Sequence, residues 1–271
     1  MRLVKKAFAK INLTLEILGT RRGDGFHDIA TVMHKVESLY DTVTLTFDGA
    51  FDAILLRCDK DVCAPDDNLA VRAAKAYYAV CGRAAHLCID LVKRIPAGAG
   101  LAGGSADAAA VLDALNEHEK ALSDAELHTL AASLGSDIPF CLAKHTTALC
   151  MGRGEIICDL PTLDLKDRVT VEVPSMPLST KGIYAAYDET HGDDYTKNKS
   201  ETMAALIQKG AALTEIVKYM CNDFQPLCEA RCEEIRAIRE RMIKEGLAAQ
   251  MSGSGSAVFG IDADGKSPLR V

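Results

Sequence analysis

The sequence predicts an α+β chain arranged as two lobes. Stretches of strand-type alternation precede stretches of helical periodicity, and they do so twice along the chain. The 271 residues suffice for one large domain or two smaller ones. At 48% hydrophobic and 25% charged residues, the composition supports a sizeable core without metals or cross-links. Residues 159–167 are the expected linker, so that 1–158 forms the first domain and 159–271 the second. No internal repeat or low-complexity tract interrupts this plan.

The elements follow in order. Ile11, Leu13, Leu15 and Ile17 alternate with Asn12, Thr14 and Glu16, and Val43, Leu45 and Phe47 alternate with threonines, so the first 60 residues read as strands. The Gly- and Asp-rich stretch from Arg21 to Gly25 is a turn. A helix is expected over 66–81, capped by Asp66 or Asp67 and ended by Gly82. Leu87, Ile89 and Leu91 mark a strand that enters a loop over 94–104. Ala108, Val111, Leu112 and Leu115, then Leu127, Leu130, Ala131 and Leu134, repeat at helical spacing. Ser123 to Glu126 forms a capping box for the second of these helices, and Gly135 stops it. Beyond residue 158 come a strand over 169–173, helices, one long helix over 224–245, and a last strand over 257–261.

Charge and cysteine usage exclude several function classes. Against 38 acidic residues stand 31 basic ones, a net charge of −7, which disfavours a large nucleic-acid or anionic-membrane footprint. A local cluster of donors can still hold a small anion. Ten cysteines are spread over the whole chain without a Cys-x-x-Cys pair, which predicts buried, reduced thiols rather than a disulfide scaffold or a zinc finger. Lys10, Asn12, Thr14 and Glu16 break any apolar leader, and no run reaches the roughly 18 apolar residues of a membrane span. The expectation is a soluble, cytoplasmic protein with no nucleic-acid or membrane partner.

The strongest chemical signal is the run Pro96, Ala97, Gly98, Ala99, Gly100, Leu101, Ala102, Gly103, Gly104, Ser105, Ala106. Its glycines let the backbone approach a ligand, and it leads into a helix expected to start near Ser105, whose free N–H groups and dipole favour a phosphate. Lys93 and Arg94 add positive charge. Ser105 could cap that helix or offer its hydroxyl to a metal. A turn of small residues for tight packing is the competing reading. The second glycine segment, Ser252 to Ser256, reads equally well as a plain turn or a ligand contact. Gly260 to Ser267 spells a Walker A motif, but Pro268 follows where a helix must start and two aspartates would repel phosphates, so the match is accidental. Taken singly, Lys10 reads as a snorkelling surface lysine, Asp137 as a turn former or cap, and His27 as a loop histidine.

Together these segments resemble a known family. Pro96 to Ala106 resembles the second motif of the GHMP small-molecule kinases, and Met251 to Gly255 their third. Ala9-Lys10-Ile11-Asn12-Leu13, Gly25-Phe26-His27, Asn68-Leu69, Leu134 to Cys141, Gly152 to Glu155 and Asn222-Asp223 are similar to one branch of that family. That branch phosphorylates a cytidine-diphosphate-linked methylerythritol in non-mevalonate isoprenoid synthesis. The resemblance runs from about residue 5 to residue 260.

The resemblance implies a nucleotide-binding β/α lobe and a ferredoxin-like second lobe. It implies ATP as phosphoryl donor with Mg²⁺, Lys10 and Asp137 as the catalytic pair, and Pro96 to Ala106 with Asn68 around the nucleotide. It further implies Ser105 as a metal ligand, and Asn12, Phe26, His27, Thr180 and Tyr184 on the cytidyl diphosphate substrate. The two aromatic rings, one from each lobe, would sandwich the cytosine. Phe26 stands where the family usually has tyrosine, Lys144-His145 replaces a common Gly-Gly, and the chain ends soon after the third motif. Another GHMP small-molecule kinase, or a silent GHMP-like binding protein, are the alternatives; the latter typically lacks the Lys or the Asp, both of which are present here.

Overall fold

A computed structural model describes residues 1–21, 25–47, 53–176, 178–190 and 198–265. In chain order the elements are β1 (Arg2–Asn12), β2 (Thr14–Thr20), β3 (His27–Thr46), β4 (Ile54–Cys58), α1 (Leu69–Cys81), β5 (Leu87–Val92), α2 (Gly103–Glu119), α3 (Asp124–Leu134) and α4 (Ile138–Leu142). Then follow β6 (Thr147–Gly152), β7 (Ile156–Asp159), β8 (Val169–Glu172), α5 (Thr180–Thr190), α6 (Lys199–Gln208) and α7 (Leu213–Ile216). β9 (Cys221–Asn222), α8 (Gln225–Arg231), α9 (Glu233–Lys244), β10 (Ala248–Met251) and β11 (Val258–Ile261) complete the order. The chain forms two compact units that are discontinuous in sequence: unit 1 is Met1–Ala9, Leu39–Ala97 and Ala102–Lys144, and unit 2 is the remainder.

In unit 1 the second half of β3 pairs antiparallel with β5, from Thr42 opposite Val92 to Thr46 opposite Cys88, and β4 pairs parallel with β5. Val43, Leu45, Leu87, Ile89 and Leu91 meet the apolar faces of α1 and α2 in one buried cluster. α2 contributes Ala106, Ala108, Ala109, Ala110 and Ala114, small enough to bring helix and neighbour close. Each larger side chain fully buried there stabilises the unit by roughly 1.5–3 kcal/mol.

In unit 2, β2 pairs antiparallel with the first half of β3 and parallel with β9, β3 pairs with β6, and β6 with β7. The expected ferredoxin-like part takes the form of a three-stranded antiparallel sheet, β10-β11-β8. Leu15, Ile17, Ile29, Phe224, Ile235, Met242 and Val258 share its core cluster.

Several expectations need correction. Helix α1 begins at Leu69, and its cap is Asn68, whose side chain accepts from the Ala70 N–H at 3.0 Å; Pro65–Asp67 form a separate short turn. The glycine loop passes into α2 at Gly103 rather than near Ser105. The helix expected over 224–245 is two helices, broken at Cys232 with φ −139° and ψ 98°. Its apolar period runs unbroken through the break, so only the acidic pair Glu233-Glu234, favourable at a helix start, signals it. The 159–167 segment does not separate the units: it lies inside unit 2, with Leu160 and Leu165 buried. Buried thiols are only part of the cysteine picture, for Cys63 and Cys158 are exposed. Most of the expected turn at 21–25, and the Lys266-Ser267 end of the Walker-like match, lie outside the described residues.

Candidate active site

Unit 2 gathers most of the residues singled out by sequence. Lys10 is 4% exposed, which rules out the snorkelling reading. Its Nζ donates to Asn12 Oδ1 at 2.7 Å and to the Gly100 carbonyl at 3.0 Å. Gly100 O also accepts from Ser252 Oγ at 3.0 Å, and the Leu101 carbonyl accepts from the Lys10 N–H. A Cβ built on Gly253 would stand 3.4 Å from Lys10 Nζ. The closing glycine segment is therefore packed against both the lysine and residues 98–101. Asn222 fixes it by donating from Nδ2 to the carbonyls of Met251 and Gly253, both at 2.8 Å. Thr180 at the start of α5 joins the same segment, its Oγ1 2.8 Å from Ser254 Oγ.

The two aromatic residues expected to come from separate lobes share one unit. Phe26 and Tyr184 both belong to unit 2. Tyr184 packs edge-on against Phe224, centroids 4.6 Å apart, and lies 5.1 Å from the His27 ring. Phe26 is 49% exposed, and the Arg153 guanidinium sits 4.9 Å from its centroid. His27 is buried, with Nε2 2.6 Å from Asp188 Oδ1.

In unit 1 the strand leaving β5 is anchored by a buried charge cluster. Lys93 Nζ donates to Asp41 Oδ2 and Asp107 Oδ2, while Asp41 Oδ1 accepts from the N–H groups of Arg94 and Ile95. Expected to lend positive charge to a ligand, Lys93 is instead held between two carboxylates. Burial outweighs the pull of Lys93 on Asp107 and pushes its carboxyl up to about 7; Asp107 Oδ1 is buried with no partner among the described residues.

Ala102, in the left-handed region at φ 56°, turns the chain into α2. Ser105 sits in the first turn without capping it. Because Ala106 makes the first ladder bond back to Ala102, the N–H groups of Gly103, Gly104 and Ser105 precede the ladder, as at any helix start. Asp137 is half-buried at the N-cap position of α4 but makes no side-chain cap bond, so the capping reading fails.

Comparison with known proteins is decisive. Residues 68–145 match the GHMP kinases N terminal domain, and residues 203–271 the GHMP kinases C terminal domain. A Gloeobacter violaceus protein named 4-diphosphocytidyl-2-C-methyl-D-erythritol kinase is 39% identical, covering 96% of this chain and 85% of its own. The chain belongs to the GHMP kinases. A crystal structure of a 4-(cytidine 5'-diphospho)-2C-methyl-D-erythritol kinase superposes with a TM-score of 0.77 at 32% identity, over 96% of this chain and 90% of that one. Homoserine kinase from Cytophaga hutchinsonii, at 16% identity, shares the fold with a TM-score of 0.72, over 98% of this chain and 86% of that one.

This GHMP kinase contains functional candidates that sequence reasoning passed over. Asp41 and Asp107 are separated from Lys93 by 52 and 14 residues, so no local pattern joins them. Asp188, Thr31 and Gln250 are likewise long-range partners; Gln250 Nε2 lies within hydrogen-bond distance of the carbonyls of Asn12, Leu13 and Cys221.

Proposed function

We propose that the chain transfers the γ-phosphoryl group of ATP to the 2-hydroxyl of 4-diphosphocytidyl-2-C-methyl-D-erythritol, a step of isoprenoid precursor synthesis. The observation that carries this reading is near-full-length identity of 35–39% to curated kinases of that name, with Lys10 and Asp137 both present in this chain. As a GHMP kinase it uses ATP as donor. Phosphoryl transfer asks the protein for alignment and charge neutralisation rather than covalent chemistry.

In this reading Asp137 accepts the proton of the attacking hydroxyl, the part a carboxylate general base plays in such a transfer. Lys10 stabilises negative charge developing on the attacking oxygen. Pro96 to Ala106 cradle the phosphates, with Asn68 beside the base. Asn12, Phe26, His27, Thr180 and Tyr184 form the substrate side. Mg²⁺ on the phosphates would supply charge neutralisation; Ser105, in the first turn of α2 where no side chain makes a cap bond, would offer it a hydroxyl oxygen. Residues 1–158 and 159–271 are the two family domains in sequence terms. Ten cysteines outside any disulfide suit a cytoplasmic enzyme. Among the described residues no helix is long and apolar enough to cross a membrane.

ADP release measured with the diphosphocytidyl substrate, mevalonate, homoserine and galactose tests the assignment, with turnover expected on the first alone. Asp137→Asn should lower turnover by roughly 10²–10⁴ while ATP still binds. Near-normal activity in that variant would remove Asp137 from the mechanism.

A further inference from the structure

We infer that Thr31, in β3, is a positioning residue that sets the orientation of Asn12 and through it the aim of the Lys10 ammonium. The inference rests on the catalytic reading of Lys10 given above. Its basis is the direction of each hydrogen bond. Thr31 Oγ1 lies within hydrogen-bond distance of the Thr14 carbonyl, which can only accept, so the single hydroxyl proton goes there. Toward Asn12 Nδ2, at 2.8 Å, the same oxygen must therefore accept. That turns the amide nitrogen of Asn12 to Thr31 and its oxygen to Lys10, an ammonium with donors only, at 2.7 Å. The chain of donors runs from Lys10 through Asn12 and Thr31 to the Thr14 carbonyl, each link fixing the next.

Thr14 is held in turn, since its Oγ1 accepts from the Val32 N–H at 2.8 Å. The four residues are between 0% and 4% exposed, so bulk water does not replace a lost partner. A reversed Asn12 amide would set donor against donor at Lys10. The lysine stem is flexible, and fixed acceptors, Asn12 Oδ1 and the Gly100 carbonyl among them, hold its charged end; the relay sets the first of these.

Thr31→Val keeps the β-branched shape and removes the hydroxyl; Thr31→Ser keeps the hydroxyl. In steady-state ADP release, Thr31→Val should lower kcat about 10- to 100-fold, as expected for a misplaced catalytic group, with KM for ATP within about twofold. Thr31→Ser should restore kcat to within about threefold of the parent enzyme, since the relay needs only the hydroxyl. Wild-type kcat in Thr31→Val would overturn the inference. So would equal losses in Val and Ser variants with lowered melting temperatures, which would mean packing alone. Thr31→Cys, of similar size and weak hydrogen-bonding power, carries the same expectation if the valine variant does not fold. Lys10→Met separates the two levels: an inactive Lys10→Met beside a fully active Thr31→Val overturns the relay only. An active Lys10→Met overturns the catalytic reading on which the relay depends, and the relay with it.

Discussion

The stretch from Gly98 to Gly104 holds four glycines, and that from Gly253 to Gly255 two. The sequence points the first at a ligand and fits the second equally to a turn or a ligand contact. A hypothetical Cβ distinguishes their uses. At Gly98 it would meet nothing within 4 Å, and at Gly104 only Leu69 Cδ1 at 3.4 Å. At Gly100 it would lie 2.3 Å from the Ser252 carbonyl oxygen, and at Gly253 3.1 Å from the Gly100 oxygen. At Gly103 it would press on Ile95 at 3.0 Å, so the missing side chain there makes room for the protein's own core. Glycine-rich sequence thus serves two purposes here: close approach of one backbone segment to another, and open space where a ligand could come. The distinction belongs to three-dimensional neighbours and not to glycine count.

The largest effect should come from Gly100. An alanine there drives Cβ into backbone, which cannot swing aside, and its φ of +78° disfavours any side chain. Gly100→Ala should cost about 3 to 5 kcal/mol in stability, from overpacking and backbone strain together. Chemical denaturation reads this directly, and a loss below about 1 kcal/mol would mean that the two segments separate readily in solution. Turnover should fall too, since the Gly100 carbonyl accepts from Lys10.

Gly253→Ala tests the other side of the same contact. With φ of +59° and a Cβ 3.1 Å from the Gly100 oxygen, a loss of about 1 to 3 kcal/mol is expected. The new methyl would also stand at ordinary contact distance from Lys10 Nζ. The expected signature is lowered kcat at nearly unchanged KM for ATP. If KM for ATP rose instead with kcat intact, the closing segment would be a nucleotide contact rather than a support for Lys10.

Legibility in the sequence followed the range of the interactions. The capping box at Ser123 and Glu126 and the left-handed Gly82 end of α1 were readable because every partner lies within a few residues. The Lys10 site was half-readable. Family resemblance implied its importance, but the lone-residue reading put it on the surface, because its acceptors include Gly100, 90 positions away. The Asp41–Lys93–Asp107 cluster was invisible for the same reason. The compact units were not legible, because strand alternation near Lys10 says nothing of which later segment will cover that strand: residues 10–38 group with 145–271. In Tyr184 the sequence offered an aromatic ring, but not that Phe224 and His27 would flank it.

Gly98→Ala should disturb the fold least and sharpen the comparison most. Its φ of +66° makes alanine strained, at about 1 kcal/mol for one residue in the left-handed region. No atom within 4 Å opposes the methyl, so no overpacking adds to that strain. For a chain of this size the melting temperature should fall by about 2–4 °C per kcal/mol. If the open side of this residue receives the nucleotide, the methyl occupies ligand space, and KM for ATP should rise several-fold while the fold barely responds. Gly100→Ala would show the opposite balance, a large stability loss with any KM change following from it. Melting curves and ATP KM values measured on both variants place them on two axes. Should Gly98→Ala destabilise as much as Gly100→Ala, open space around a glycine would be a poor guide to its role. Should it leave both quantities unchanged, the phosphates would have to be cradled elsewhere along the loop, with the first-turn N–H groups of Gly103 to Ser105 the next to test.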